Sequence, residues 1–159
     1  MTTDAPTRGA PAGAPSGTRR AGPVALRSTP LLLALWTLFV WVGRMRNLVQ
    51  EPGPLLDAGR WSLAASVLFT VLGLTLLAGL AARGLGSDGS PLARASAAVT
   101  VALAGLSVVV WLVRGVDIAL GDHSAAFVAV HLVLAAVSIS LAGLAVLAVR
   151  ARAAGRLAS

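Results

Sequence analysis

A small set of polar residues interrupts the long apolar runs of this chain, and their side chains could do chemistry. Arginine, asparagine, aspartate and histidine bind anions, carry protons or form ion pairs, and inside a membrane they usually have a partner or a wet cavity. We treat seven of them as one candidate polar cluster: Arg44, Arg46, Asn47, Arg114, Asp117, His123 and His131.

The spacing of four of these residues predicts part of their arrangement. Asp117 follows Arg114 by three residues, so the two side chains share a helix face and can form an ion pair. Arg44, Arg114 and His131 lie about five, six and seven residues inside the ends of the first, third and fourth predicted helices, the third reaching Leu120, which predicts similar depths in a bilayer. The cluster could bind an anion or lipid headgroup, or handle protons. We favour a structural role, because arginines near helix ends commonly reach lipid phosphates.

These residue types form no recognisable catalytic, metal or cofactor site. Cysteine is absent, which excludes disulfides, thiolate catalysis and cysteine-bound metals. His123 and His131 are eight residues apart, about 12 Å along a helix, too far to bind one ion together. Haem bound by two histidines needs inward histidines on two helices, and only His131 qualifies, with Met45 a conceivable second ligand. No serine has a basic partner at a recognisable spacing, so we expect neither an enzyme nor a cofactor.

Four long apolar runs must position the polar cluster. They comprise residues 31–49, 62–82, 95–113 and 126–149, and a hydrocarbon core of ~30 Å needs ~20 helical residues to cross it. Hydrophobic residues make up 57% of the chain and the mean hydropathy is +0.84, beyond an ordinary soluble domain. We predict an all-α membrane protein whose four transmembrane helices form an up-down-up-down bundle, because the connections are short.

The remaining segments are predicted to be tails and turns. Residues 1–29, rich in proline and glycine, predict a disordered cytoplasmic tail before a transmembrane domain over 30–150, with Pro30 in the first helical turn. Residues 151–159 predict a short basic cytoplasmic tail.

Residues 84–89 match a G-x-G-x-x-G dinucleotide pattern, but no strand precedes them, so we interpret them as a flexible turn. Asp122 or Ser124 can cap the fourth helix.

The charge distribution predicts partners and orientation. The net charge is +7 and all 13 basic residues are arginine. These arginines lie at the ends of apolar runs and not in a basic stripe with aromatic residues, which favours the phospholipid bilayer over nucleic acid as partner. With the N-terminus inside, eight arginines near the spans face the cytoplasm and four face outwards. This imbalance predicts that both termini are cytoplasmic and that the polar cluster lies in the outer leaflet. The lack of lysine and the abundance of alanine, glycine, leucine and valine are typical of a bacterial protein, which places it in the inner membrane.

Two further patterns predict how the helices pack. A stripe of small and polar residues on the fourth helix is expected to face the other helices, which would turn His131 inwards. Its members are Ser124, His131, Ala135, Ser138 and Ala142. The four tryptophans are predicted to be interfacial anchors. They are Trp36, Trp41, Trp61 and Trp111.

Two short motifs carry a resemblance to a known group of proteins. Arg44-Met45-Arg46-Asn47 is an R-x-R-N box at the end of the first span, and residues 123–131 form an H-x(3)-F-x(3)-H stretch where the last span opens. In these motifs the four spans resemble small four-span integral membrane proteins of actinobacteria, a group without an assigned activity. The resemblance implies a membrane location and a four-helix architecture, and it implies no reaction.

Two functions are therefore open. The first is a non-enzymatic accessory or scaffold subunit that packs against lipids, other membrane proteins or a second copy of itself. The second is a protein that handles a small molecule, an anion or protons through the polar cluster. Mutual contact of the cluster side chains inside a cavity would favour the second, whereas arginines that face lipid would favour the first.

Overall fold

Four helices make up almost all of the chain that the structure describes. The computed structural model describes residues 24–50, 58–82 and 90–157. Helix α1 comprises Val24–Gln50, α2 Ala58–Ala82, α3 Pro91–Leu120 and α4 Ala125–Leu157. Each contains a stretch long and apolar enough to cross a membrane, and these described ranges contain no strand. The prediction of an all-α, four-helix transmembrane bundle is confirmed.

Each helix packs against two neighbours, in the order α1, α2, α3, α4 and back to α1. The Trp36 indole N–H donates to Ser138 Oγ over 2.9 Å, and Thr29 Oγ1 donates to the Leu144 carbonyl oxygen over 3.5 Å. Successive residues of α1 therefore meet earlier residues of α4, and the two helices are antiparallel. Residues 121–124 join α3 to α4 at what we call the turn end, and the opposite end, where α1 begins and α4 ends, is the terminal end.

Helix α1 begins before Pro30, which corrects the prediction that this proline occupies the first turn. The helix starts at Val24 and contains Pro30 in its interior. A proline removes its own N–H donor, but neighbouring helices make this tolerable in a membrane bundle. The Pro30 side chain is among the largest that are fully buried, so packing favours its position. Residues 24–29 of the predicted tail are helical, and residues 1–23 lie outside the described ranges.

Serine caps begin α3 and α4. Ser90 Oγ accepts a hydrogen bond from the Ala93 N–H over 3.2 Å, with Pro91 at the first helical position. Ser124 Oγ accepts from the Phe127 N–H over 3.3 Å, so Ser124 is the cap of α4. The predicted tail over 151–159 is helical as far as Leu157, because its alanines and arginines have high helix propensity. The G-x-G-x-x-G segment over 84–89 lies outside the described residues.

The buried residues of α1 and α4 lie towards the terminal end, whereas α2 and α3 also have buried residues in their turn halves, among them Phe69, Trp111 and Ile118. Buried positions run from Thr29 to Thr37 along α1 and from Ser138 to Ala148 along α4. The turn halves of these two helices, residues 38–50 and 125–137, contain no buried side chain. Small residues on the inner faces allow the terminal halves to approach closely. The core cluster comprises Leu33, Ala34, Phe69, Leu76, Leu103, Ala104, Ala142 and Ala145.

Candidate functional site

The candidate polar cluster lies at the turn end of the bundle, on three helices and one turn. Counting from the contact between Trp36 and Ser138, Arg44 lies eight residues further along α1 and His131 seven residues back along α4. At ~1.5 Å per residue these separations are ~12 Å and ~10.5 Å, so the two side chains start at similar depths. Both are half-buried, whereas Arg46 and Asn47 are exposed.

Arg114 and Asp117 form the ion pair that their spacing predicts. Arg114 Nη1 lies 2.6 Å from Asp117 Oδ2, within one turn of α3. The Arg114 side chain is 38% exposed and that of Asp117 60% exposed. An exposed pair of this kind contributes about 0–1 kcal/mol to stability. The pair therefore satisfies the Arg114 charge locally and adds little to the free energy of unfolding.

Arg44 connects α1 to α2. Its Nη2 donates to Ser62 Oγ over 3.4 Å. One turn earlier, the Trp41 ring stacks on Phe69 with a centroid distance of 4.4 Å and an interplanar angle of 7°. Both contacts hold the last turns of α1 against α2.

Two histidines and a phenylalanine form a row of rings along α4. The Phe127 ring centroid lies 4.6 Å from that of His123 and 4.0 Å from that of His131. His131 Nδ1 lies 2.9 Å from the Phe127 carbonyl oxygen, so we assign the proton to Nδ1 as donor. These three residues are the H-x(3)-F-x(3)-H motif of the sequence, whose spacing of four is a signal for side-chain contact on one helix face, but the ring contacts themselves were not predicted.

The members of the polar cluster make separate local contacts. Within the described ranges, no hydrogen bond or ion pair joins Arg114 or His131 to Arg44. His123 is exposed, and its ring lies beside Gly121, where a Cβ would be 2.7 Å from His123 Nε2. The described residues include no group of three histidine, aspartate or glutamate side chains that could hold a metal ion. The cluster is thus a set of local contacts on three helices.

The tryptophans differ from the predicted set of interfacial anchors. Trp61 is 81% exposed near the start of α2, as expected of an anchor. Trp111 is only 8% exposed, Trp36 is hydrogen bonded to Ser138, and Trp41 is packed against the core. The prediction is wrong for these three, because an indole between helices gains packing area and its N–H can find a partner there.

The small and polar stripe on α4 faces the bundle over only part of its length. Ser138 and Ala142 are buried, at 3% and 1% exposure. Ala135 and His131 are half-buried, and Ser124 is exposed. The inward direction predicted for His131 is therefore only partly realised, because its side chain is half-buried and not buried.

An apolar groove lies between α1 and α4 near the middle of the bundle. Its volume is about 400 Å³, and it is lined by Leu32, Leu35, Trp36, Phe39 and Leu141. The Trp36 N–H in its wall is already bound to Ser138. None of the seven cluster residues lines this groove, so it offers apolar contact and no catalytic group.

The four helices form an all-α bundle, and each is long and apolar enough to cross a membrane. Comparison of the chain with protein-family models, with curated proteins and with solved structures finds no match. Function must therefore be inferred from the geometry of the helices, the polar contacts and the groove.

Proposed function

We propose that the protein is a small multi-pass protein of the bacterial inner membrane with a non-enzymatic accessory or scaffold role. It packs against lipids, against other membrane proteins or against a second copy of itself. The observation that carries the proposal is the local pairing of the cluster: Arg114 with Asp117, and His131 with its own helix backbone. Charged and polar groups that are satisfied on their own helix serve as anchors at the membrane surface.

The outward faces of α3 and α4 support a role in helix association. Each contains three exposed small residues in the middle of the span, at spacings of four and then three residues. Small residues let helix backbones approach closely in lipid, where van der Waals contact drives association. The residues are Ala98, Ala102 and Gly105 on α3, and Ala136, Ser140 and Gly143 on α4.

The absence of cysteine makes a direct test of this role simple. Single cysteines at Ala102 and at Gly143 should cross-link in native membranes to one partner of defined mass, either another protein or a second copy. A cysteine at Ala104, which is 1% exposed, is the matched control on α3 and should give no product. Failure of both surface cysteines to cross-link, together with a monomer that purifies alone in mild detergent, would exclude the accessory role.

The proposed orientation places both termini in the cytoplasm, and the imbalance of arginines supports it. Reporter fusions after Gly53, Gly86, Gly121 and Ser159 should read outside, inside, outside and inside. Replacing the arginines next to the spans on the cytoplasmic side provides a control. If arginine sets the orientation, these variants should give a mixed reporter pattern. The inverse pattern of reporters would contradict the orientation and would place the polar cluster on the cytoplasmic side.

One observation favours the alternative, a protein that handles an anion or protons. The turn halves of α1 and α4 contain no buried side chain, and Arg44 and His131 lie there at similar depth. Titration of the detergent-solubilised protein with inorganic phosphate tests this. Saturable binding that Arg44→Gln abolishes and Arg46→Gln retains would favour the alternative over the accessory role.

A further inference from the structure

The apolar groove between α1 and α4 is open on the side that faces the bilayer. Leu32 and Leu35 are each 48% exposed and Phe39 is 69% exposed. Trp36 is held in place, because its N–H donates to Ser138 and its ring lies against Phe39 with a centroid distance of 5.7 Å. The groove is thus a fixed apolar surface that a flexible hydrocarbon chain can enter from the lipid.

The groove runs along the bundle axis within one leaflet. Leu32 and Phe39 are seven residues apart, which gives a length of ~10 Å along α1. Leu32 lies eight residues after Val24, where α1 begins at the terminal end. The groove therefore extends from below the headgroups of the leaflet at the terminal end towards the middle of the hydrocarbon core.

A cationic side chain lies in line with the groove at headgroup depth. Arg152 follows Leu141 by eleven residues, which is about three helical turns, so both lie on the same face of α4. Arg150 follows Leu141 by nine residues, about two and a half turns, and lies on the opposite face. On α1, Ser28 precedes Leu32 by one turn on the same face. At ~1.5 Å per residue Arg152 lies ~16.5 Å beyond Leu141 along α4, so groove and cation follow one another along one face, as the acyl chain and the phosphate of an anionic phospholipid do.

We propose that this groove binds one acyl chain of an anionic phospholipid, whose phosphate lies near Arg152. The inference rests on the proposed function in that the four helices lie in a bilayer, and it adds a specific lipid to the general contact with lipids. Arginine recognises phosphate through charge-assisted hydrogen bonds, and the apolar wall recognises only the chain. Headgroup preference and chain binding are therefore separable by substitution.

Native mass spectrometry of the full chain, purified with phosphatidylglycerol or phosphatidylcholine of identical acyl chains, tests the proposal. The wild-type protein should retain one phosphatidylglycerol, with a preference over phosphatidylcholine of roughly tenfold. Leu141→Trp, which fills the groove, should abolish retention of both lipids. Arg152→Gln should keep the chain site and reduce the preference to near parity.

Matched controls lie on the same helix. Leu147→Trp places the same bulk on an exposed position outside the groove, and Arg150→Gln removes a charge on the opposite face. Both should retain lipid as the wild type does, and Leu35→Trp provides a second groove-filling variant from α1 if Leu141→Trp fails to fold. Equal behaviour of each test variant and its control would overturn the proposal.

Three other outcomes distinguish the lipid site from the accessory role. Loss of a dimer mass in the groove-filling variants, without any bound lipid in the wild type, would assign the groove to a second copy and overturn the lipid proposal. Lipid retention that ignores all substitutions, with cross-linked partners intact, would overturn the groove site while the accessory role stands. Groove-dependent lipid retention without any cross-linked partner would support the lipid site and contradict the accessory role.

Discussion

The terminal and turn halves of the bundle are built from different residues and are held together differently. In the terminal half, Leu33, Ala34 and Ala145 are at most 1% exposed, and the helices meet through small side chains. In the turn half, α1 and α4 contain no buried side chain, and polar contacts stay on one helix or join α1 to α2. Along α1 and α4, close packing is therefore confined to the terminal half, which also holds two hydrogen bonds between these helices.

The sequence explains this difference in physical terms. Alanine and glycine on the inner faces of the terminal half let backbones approach, as at Gly79, where a Cβ would lie 2.5 Å from Ser96 Oγ. In the turn half, α1 and α4 carry larger or polar side chains such as Arg44, Phe127 and His131, none of which is buried. We infer that, along α1 and α4, the terminal half contributes more to the free energy of unfolding than the turn half does.

The largest expected loss of stability comes from a leucine-to-alanine substitution in the terminal half of α1, compared with the same substitution in its turn half. Leu33→Ala removes a side chain that is 1% exposed and should lower the free energy of unfolding by about 2–5 kcal/mol. Leu48→Ala, at a half-buried position in the turn half, should cost about 1 kcal/mol or less. Unfolding by SDS in mixed micelles measures both. Equal losses would mean that the two halves contribute alike.

Two glycine-to-alanine substitutions should change the free energy of unfolding by intermediate amounts and in opposite directions. Gly79→Ala forces a Cβ against Ser96 and should destabilise the protein by about 1–2 kcal/mol. Gly43→Ala, in the turn half, meets nothing within 4 Å and should stabilise it by about 0.5–1 kcal/mol through helix propensity. Thermal unfolding in detergent distinguishes the two signs. A stabilising Gly79→Ala would show that the α2–α3 contact is loose.

The smallest expected effect concerns the ion pair at the turn end. Asp117→Asn should lower the free energy of unfolding by about 0–1 kcal/mol, and the double variant with Arg114→Gln should behave alike, because both side chains are exposed. The same melting curves measure it. A loss of about 3–5 kcal/mol for Asp117→Asn alone, recovered in the double variant, would instead place the pair in a dry pocket.

Local sequence patterns predict the number and type of helices, the spacing of the ion pair and the cap at Ser124, because each depends on neighbours along the chain. The contact between Trp36 and Ser138 depends on how α1 and α4 align across 102 positions, and no local pattern contains that alignment. Apolar residues surround each helix, so periodicity does not reveal the inward face. For the same reason the groove and the packed tryptophans could not be predicted.

The four helices differ in length, and this has a consequence for the membrane that surrounds them. The candidate spans comprise 23 residues in α1 and in α2, 30 in α3 and 31 in α4, or about 35 Å against about 45 Å at the helical rise. The longer spans include arginines near their ends, Arg94 and Arg114 on α3 and Arg150 and Arg152 on α4, so their additional turns lie among the headgroups and not in the hydrocarbon core. The second hairpin therefore contacts lipid headgroups over more of its length than the first, which makes headgroup charge, more than membrane thickness, the bilayer property to which it responds.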